Sequence, residues 1–307
     1  MCKKTTFCIR SKVDRLPLHG IMMVPVGKPR GMIQFVHGMA EHKERYFEVM
    51  DFYCRQGFVC VIHDHRGHGE SVRQKKDLGY FYNCDEMAIV SDVKQVLDYA
   101  KKQHPMLKIV LLGHSMGSLV VRVFTKRYDD AIDGLIVSGS PSENKASNAG
   151  LWLAKGIAKV KGDHYVSKVV DQITFAGYQK GFDKKKGKFV WLCSDEAIVK
   201  AYEKDDLCGF IFTLNGFIRL YRLMLETYSK KGWQFKQPQL PILFLAGKKD
   251  PCIQSESKFL KAQQYMKQIG YDNVSGKCYE GMHHEILNET KKQVVYKDIL
   301  AWIEKLL

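Results

Sequence analysis

The run Leu111-Leu112-Gly113-His114-Ser115-Met116-Gly117-Ser118-Leu119 places one serine between two glycines, where one apolar stretch stops and another begins. A tight turn alone would call for small residues here. The run also has the form G-x-S-x-G, with "KIVLL" reading as a strand before it and "SLVVRVFTKRY" as a helix after it. A strand, a sharp turn and a helix in that order force strained backbone angles on the serine, and flanking glycines keep its neighbours from colliding. Ser115 would then project at a helix N-terminus, in the field of unpaired N–H groups, as a nucleophile.

A serine hydroxyl is a weak nucleophile at neutral pH, so it needs a base, and the base needs an acid to orient it. With the serine on such a turn, the acid and then a histidine should follow in the loops after later strands. "PILFLAGKKD" delivers Asp250 at a strand end, where a plain turn aspartate before Pro251 is the other reading. "YEGMHHE" delivers two adjacent histidines. Neighbouring side chains diverge, so only one can face the serine; His284 is the choice, with His283 the alternative. Charge developing on an attacked carbonyl oxygen needs fixed donors. The N–H of Met116, directly after the serine, is one candidate, and the N–H of Met39 in "VHGMAEH" is the other. Both methionine side chains read equally as core fillers.

"HDHRGHG" brings together His63, Asp64, His65 and His68, which has the look of a metal cluster. No further carboxylate or histidine ligands stand at helical or strand spacing from it, and polar turn residues at a strand end explain it as well. Neither G-x-G-x-x-G nor G-x-x-x-x-G-K-[ST] occurs. No metal and no organic cofactor is expected.

The elements that must position these residues alternate between strand and helix. Residues 5–13 and 18–26 read as two edge strands, and "GMIQFVHG" as a buried strand. "EHKERYFEVMDFYCRQG" reads as a helix, "FVCVIHDHRG" as strand and turn, and "DEMAIVSDVKQVLDYAKKQHP" as a helix stopped by proline. "KIVLLGHS", the helix after it and "IDGLIVSGS" continue the rhythm, which implies a parallel sheet with helices on both faces. From about Pro141 the rhythm fails. Residues 141–235 are aromatic- and lysine-rich, with "GLWLAKGIAKV" and "GFIFTLNGFIRLYRLMLETY" reading as helical. Strand "PILFLAG", helix "SESKFLKAQQYMKQIG", strand "VSGKCY" and a final helix from about Asn288 then resume the pattern. The expected organisation is an α/β core of residues 1–140 and 236–307, with residues 141–235 inserted as a mainly helical cap over the sheet's carboxyl edge.

Composition narrows the function classes. With 307 residues and 45% hydrophobic content the chain can bury one large core. Nine cysteines, an odd count with no C-x-x-C pair, suggest reduced thiols rather than a disulfide framework. "MCKKTTFCIRSK" has positive charge but no apolar stretch behind it, so neither a signal peptide nor a membrane span is expected, and the placement is cytoplasmic. The net charge of +15 comes from scattered lysines without any nucleic-acid-binding signature, so nucleic acid is not an expected partner. Lys184-Lys185-Lys186 and Lys230-Lys231, beside apolar helices, suit a transient peripheral contact with a lipid surface.

Taken in order, "FVHGMAEH", "HDHRGHGES", "GHSMGS", "LAGKKDP" and "GMHHEILNE" resemble the monoacylglycerol lipase and lysophospholipase branch of the α/β-hydrolase superfamily, also grouped with serine aminopeptidase-like hydrolases. The resemblance covers nearly the whole chain. It implies the α/β-hydrolase fold, with Ser115 as nucleophile, Asp250 as acid, His284 (preceding Glu285) as base, and oxyanion donors at Met39 and Met116. It also implies a structural role for "RGHGES" in the turn beside the site. The expected activity is hydrolysis of a monoacylglycerol or lysophospholipid, because the cap is apolar enough to line an acyl groove. A short-chain or aromatic carboxylesterase is the alternative, and a non-catalytic binding protein of the same fold a remote one.

Overall fold

A computed structural model describes residues 2–307. Eight strands form one sheet: β1 (Lys3–Arg10), β2 (Pro17–Val24), β3 (Gly31–Val36), β4 (Phe58–His63), β5 (Ile109–His114), β6 (Gly134–Ser138), β7 (Ile242–Gly247) and β8 (Val274–Tyr279). Their order across the sheet is β1-β2-β4-β3-β5-β6-β7-β8. β2 runs antiparallel to both its neighbours, and every pairing from β4 to β8 is parallel. Every residue of β3, β4, β5, β6 and β7 is buried, as strands covered on both faces require.

The period of two along each strand divides the core between those faces. In β4, Val59 and Val61 belong to one apolar cluster, while Phe58, Cys60 and Ile62 belong to the other. The first cluster takes in Val93 and Leu97 of α2 (Met87–Gln103), Leu119 and Val123 of α3 (Met116–Tyr128), and Phe259 and Met266 of α8 (Glu256–Ile269). The second takes in Val49 and Tyr53 of α1 (Phe47–Arg55) with Val295 and Ile299 of α9 (Lys292–Glu304). Between β6 and β7 lie α4 (Ser147–Lys161), α5 (Lys168–Thr174), α6 (Glu196–Lys204) and α7 (Leu214–Thr227). α7 packs on both α4 and α3. No described helix is long and apolar enough to cross a membrane.

Several expectations are corrected. The first predicted helix is a 3-10 turn at Lys43–Tyr46 followed by α1, because His42 and Lys43 are drawn into polar contacts that a continuous helix would not allow. α7 begins at Leu214 rather than with "GFIF": the Thr213 side chain accepts from Gly216 N–H and caps the helix, leaving fully buried Phe212 to pack on Phe81 and His68. The last helix begins at Lys292, not near Asn288. Cys2 and Cys54 are joined by a disulfide that links the start of the chain to α1, against the expectation of nine reduced thiols. Lys185, Lys186, Lys230 and Lys231 are exposed, and the side chain of Lys184 lies outside the described residues.

The turn from β5 to α3 depends on close approach at Gly117, where a Cβ would stand 2.1 Å from the Val36 carbonyl oxygen and 2.5 Å from that of His37. Neither backbone can move without shifting β3. Gly117→Ala is therefore expected to lower stability by roughly 3 kcal/mol, the upper end of the cost of overpacking, measured by urea unfolding; an unchanged midpoint would contradict this packing.

Candidate active site

β5 ends at His114, α3 starts at Met116, and Ser115 between them has φ 52° and ψ −118°. Its N–H donates to the Ser138 carbonyl at 2.9 Å, which ties the turn to the end of β6. The side chain faces a cavity of about 1040 Å³ that His114, Met116 and His284 also line.

Asp250 follows β7 and caps the short turn Pro251–Ile253, its Oδ1 accepting from Cys252 N–H at 2.8 Å. That leaves Oδ2 facing His284 Nδ1, 2.9 Å away, with both side chains buried. His284, in the loop after β8, lies between the rings of His114 and Trp191, with centroids 4.6 and 5.2 Å away. Burial pulls the His284 pKa down, but the Asp250 carboxylate outweighs it and holds the ring well above its usual value. Cys252 Sγ is 3.7 Å from His284 Nε2, and burial pushes that thiol above its usual value. Ser115 Oγ makes no hydrogen bond to His284 among the described residues; such bonds are often long before substrate binds. His283 is elsewhere, its Nδ1–H donating to the Val190 carbonyl at 3.1 Å and its ring edge-on to Phe182.

The loop after β3 carries the other predicted backbone donor. Gly38 N–H donates to Glu41 Oε1 at 2.5 Å, and Ala40 N–H to His68 Nε2 at 3.2 Å. The Met39 N–H between them, like that of Met116, is not taken up by any protein acceptor among the described residues, and both residues line the cavity. A side chain at Gly38 would stand 3.1 Å from Ser115 Cβ, so the glycine lets this loop pass beside the serine.

The histidines of "HDHRGHG" brace that same loop. His65 N–H donates to His37 Nε2 at 2.9 Å, and His65 Nε2–H donates back to the His37 carbonyl at 3.1 Å. His68 supports Ala40, while Asp64 accepts from Lys43 N–H and Nζ at 2.8 and 2.7 Å. Burial drives His37 and His65 well below their usual range, and takes His68 to about 4 and His63 to about 3, so these rings are neutral packing groups. The four predicted side chains do not converge on one point.

Sequence reasoning missed the ion network that joins the two loops. Arg45 donates to Glu41 Oε2 at 2.6 Å and to both oxygens of Glu285, next to His284, at 2.7 and 2.6 Å. Burial raises the Glu285 pKa, but Arg45 more than offsets it and carries it to about 2. Glu41 and Arg45, at i and i+4 in "AEHKER", were the available signal; their partner 240 residues away was not. From the segment between β6 and β7, Tyr202 Oη–H and Gly209 N–H both donate to the Ala40 carbonyl, at 2.8 and 2.9 Å.

A family model described as "Serine aminopeptidase, S33" matches residues 27–291. The chain belongs to this family, in its monoacylglycerol lipase-like branch. It is 26% identical over 279 residues to the monoacylglycerol lipase of Mycolicibacterium smegmatis, covering 91% of this chain and 90% of that one. It is 24% identical over 288 residues to the phospholipase YtpA of Bacillus subtilis, covering 91% and 96%. A thermostable carboxyl esterase from Bacillus coagulans superposes with a TM-score of 0.89 at 24% identity, covering 99% of this chain and 98% of the other. The enzyme thus has the α/β-hydrolase fold.

The paired histidines differ sharply in surroundings, and only His284 touches Asp250 and the serine-bearing cavity. His284→Ala is expected to lower kcat/KM on the order of 10⁴-fold, and His283→Ala far less. Steady-state kinetics on a soluble ester measures both, and the reverse ranking would reject this reading of the site.

Proposed function

We propose that this carboxylic-ester hydrolase cleaves lipid monoesters, monoacylglycerol or lysophospholipid, through an acyl-enzyme on Ser115. The observation that carries the reading is the cavity. At about 1040 Å³ it reaches the upper end of the roughly 300–1,000 Å³ usual for small-molecule sites. From Ser115 and His284 it extends along Phe175, Phe182, Phe189, Trp191 and Phe210, all contributed by the segment between β6 and β7. We take residues 141–235 to be a lid over this groove.

In the proposed reaction Ser115 Oγ attacks the ester carbonyl while His284 Nε2 accepts its proton. Asp250 holds the ring by Nδ1 and offsets the charge of the imidazolium as it forms. The carbonyl oxygen, negative in the tetrahedral intermediate, is received by the free N–H groups of Met39 and Met116, which are fixed by the backbone and need not reorganise. Collapse expels the alcohol, protonated by His284, and leaves the acyl group on the serine. Water, activated by the same histidine, then releases the fatty acid. Ser115→Ala should therefore lose on the order of 10⁴-fold or more in activity with the fold intact, together with labelling by a fluorophosphonate probe.

Chain length tests the substrate. Each buried methylene contributes about 0.8 kcal/mol, so kcat/KM for p-nitrophenyl esters should rise several-fold per two carbons until the groove is full. A specificity constant flat or falling from acetyl to octanoyl would favour a short-chain or aromatic carboxylesterase instead.

Lipid-surface contact at the mouth has its own support. Among the described residues, seven of the thirteen exposed large apolar side chains fall between positions 152 and 173, with Trp152 70% and Val160 81% exposed, and Ile173 also lines the cavity. Lys159, Lys161 and Lys168 stand exposed among them. Apolar burial and charge attraction add at such a surface. At about 1 kcal/mol per basic residue, reversing all three to Glu should weaken binding to anionic vesicles more than about 100-fold and leave hydrolysis of soluble short esters unchanged. Unaltered vesicle binding would place the contact elsewhere.

A further inference from the structure

We propose that His42, Asp205 and Cys208 form a zinc site that ties the segment between β6 and β7 to the loop after β3. His42 closes that loop, three residues beyond Met39, while Asp205 and Cys208 lie in the turn that follows α6. One ligand atom from each, a ring nitrogen, a carboxylate oxygen and a sulfur, all lie within 4.8 Å of one another. His42 Nε2 stands 2.8 Å from Asp205 Oδ2, and its Nδ1 stands 2.6 Å from Glu44 Oε2. A histidine whose Nδ1–H is committed to a carboxylate presents its Nε2 in one tautomer and one orientation, which is the arrangement that supports metal-bound histidines.

The donor set fits zinc better than a hard cation. Thiolate and imidazole are ligands of Zn²⁺, whereas calcium and magnesium prefer oxygen alone. Zinc bonds of about 2.0–2.3 Å in a tetrahedron put ligand atoms about 3.5 Å apart, so the three donors need only small adjustments to enclose the ion. A thiolate and a carboxylate offset its two charges. On loading, bonds form from zinc to nitrogen, oxygen and sulfur, and the Nε2 proton and the Cys208 thiol proton leave to solvent. The Asp205 side chain is 34% exposed, which leaves room for a water as fourth ligand. His42 and Cys208 are buried, and Asp205 Oδ1 is already held by Leu207 N–H at 2.8 Å, so the ligands are largely ordered in advance. None of the three takes part in the proposed ester chemistry. The spacing Asp205-x-x-Cys208 brings two ligands into one turn, and the third crosses from the core, so the ion would bridge lid and loop.

The test is zinc titration of the chelator-stripped full chain, against a chromophoric chelator and by thermal unfolding. The wild type should bind one zinc at micromolar or lower concentration and gain several degrees in Tm. Cys208→Ser and Asp205→Asn should lose both effects while keeping wild-type activity on a soluble ester, and Cys252→Ser should keep both. Cobalt in place of zinc should give a thiolate-to-metal charge-transfer band that Cys208→Ser abolishes; Asp205→Asn serves as the second variant if Cys208→Ser fails to fold. Zinc binding lost only in Cys252→Ser would move the ion to the buried Asp250, Cys252 and His284 trio and overturn the proposal. So would the absence of stoichiometric binding at micromolar zinc.

Discussion

Ser115 is held at φ 52°, a backbone region that costs a residue with a side chain about 1–3 kcal/mol and persists only where its surroundings insist on it. The insistence comes from both sides. β5 is locked in the middle of the sheet between β3 and β6, and α3 is drawn against β3 by Gly117, so the single residue between them has no room for an ordinary turn. Because β3, β5, β6, β7 and β8 run parallel, the loops after them emerge at the same edge. The Met39 amide, Ser115, Asp250 and His284 are all carried by such loops, which is why residues spread over more than half of the chain meet around one point.

Much of this was legible because the signals were local. Parallel strands buried on both faces are short continuous apolar runs, and five of them stand out in the sequence with glycine or a polar turn at their ends. Ser115 and Asp250 were candidates because each lies just beyond such a run, and His284 because it stands in the loop after the next strand, β8; the structure brings Asp250 and His284 together. What depended on distant partners stayed hidden. The start of α7 was misread because Phe210 and Phe212 continue the helical apolar spacing, whereas Phe212 is spent on His68 and Phe81 and the cap at Thr213 decides the boundary. The role of "HDHRGHG" was open in the residues alone, since histidines that ligate a metal and histidines that brace a loop look the same until their nitrogens are given partners. The Cys2–Cys54 bridge had no sequence signal, because pairing depends on where β1 and α1 lie in space.

Two polar layers therefore support the cavity. The histidines of the β4 loop hold the β3 loop from beneath, neutral because burial strips their protons. Arg45 holds it from the side and clamps Glu285 at the same time, so the loop bearing the free amide and the loop bearing His284 share one guanidinium. A buried cation with fully paired carboxylates is costly to break from either end, which gives the arrangement rigidity rather than much net stability.

The Ala40 carbonyl accepts two hydrogen bonds, from Tyr202 and from Gly209, and Ala40 itself is one of the few non-glycine residues at positive φ, 51°. Both bonds hold the segment from α6 to Gly209 against the loop one residue away from the Met39 N–H. The position of the Met39 N–H beside the cavity is thus set from two sides, by the histidines of the core and by the segment between β6 and β7, so that a change in either is felt at the same atom.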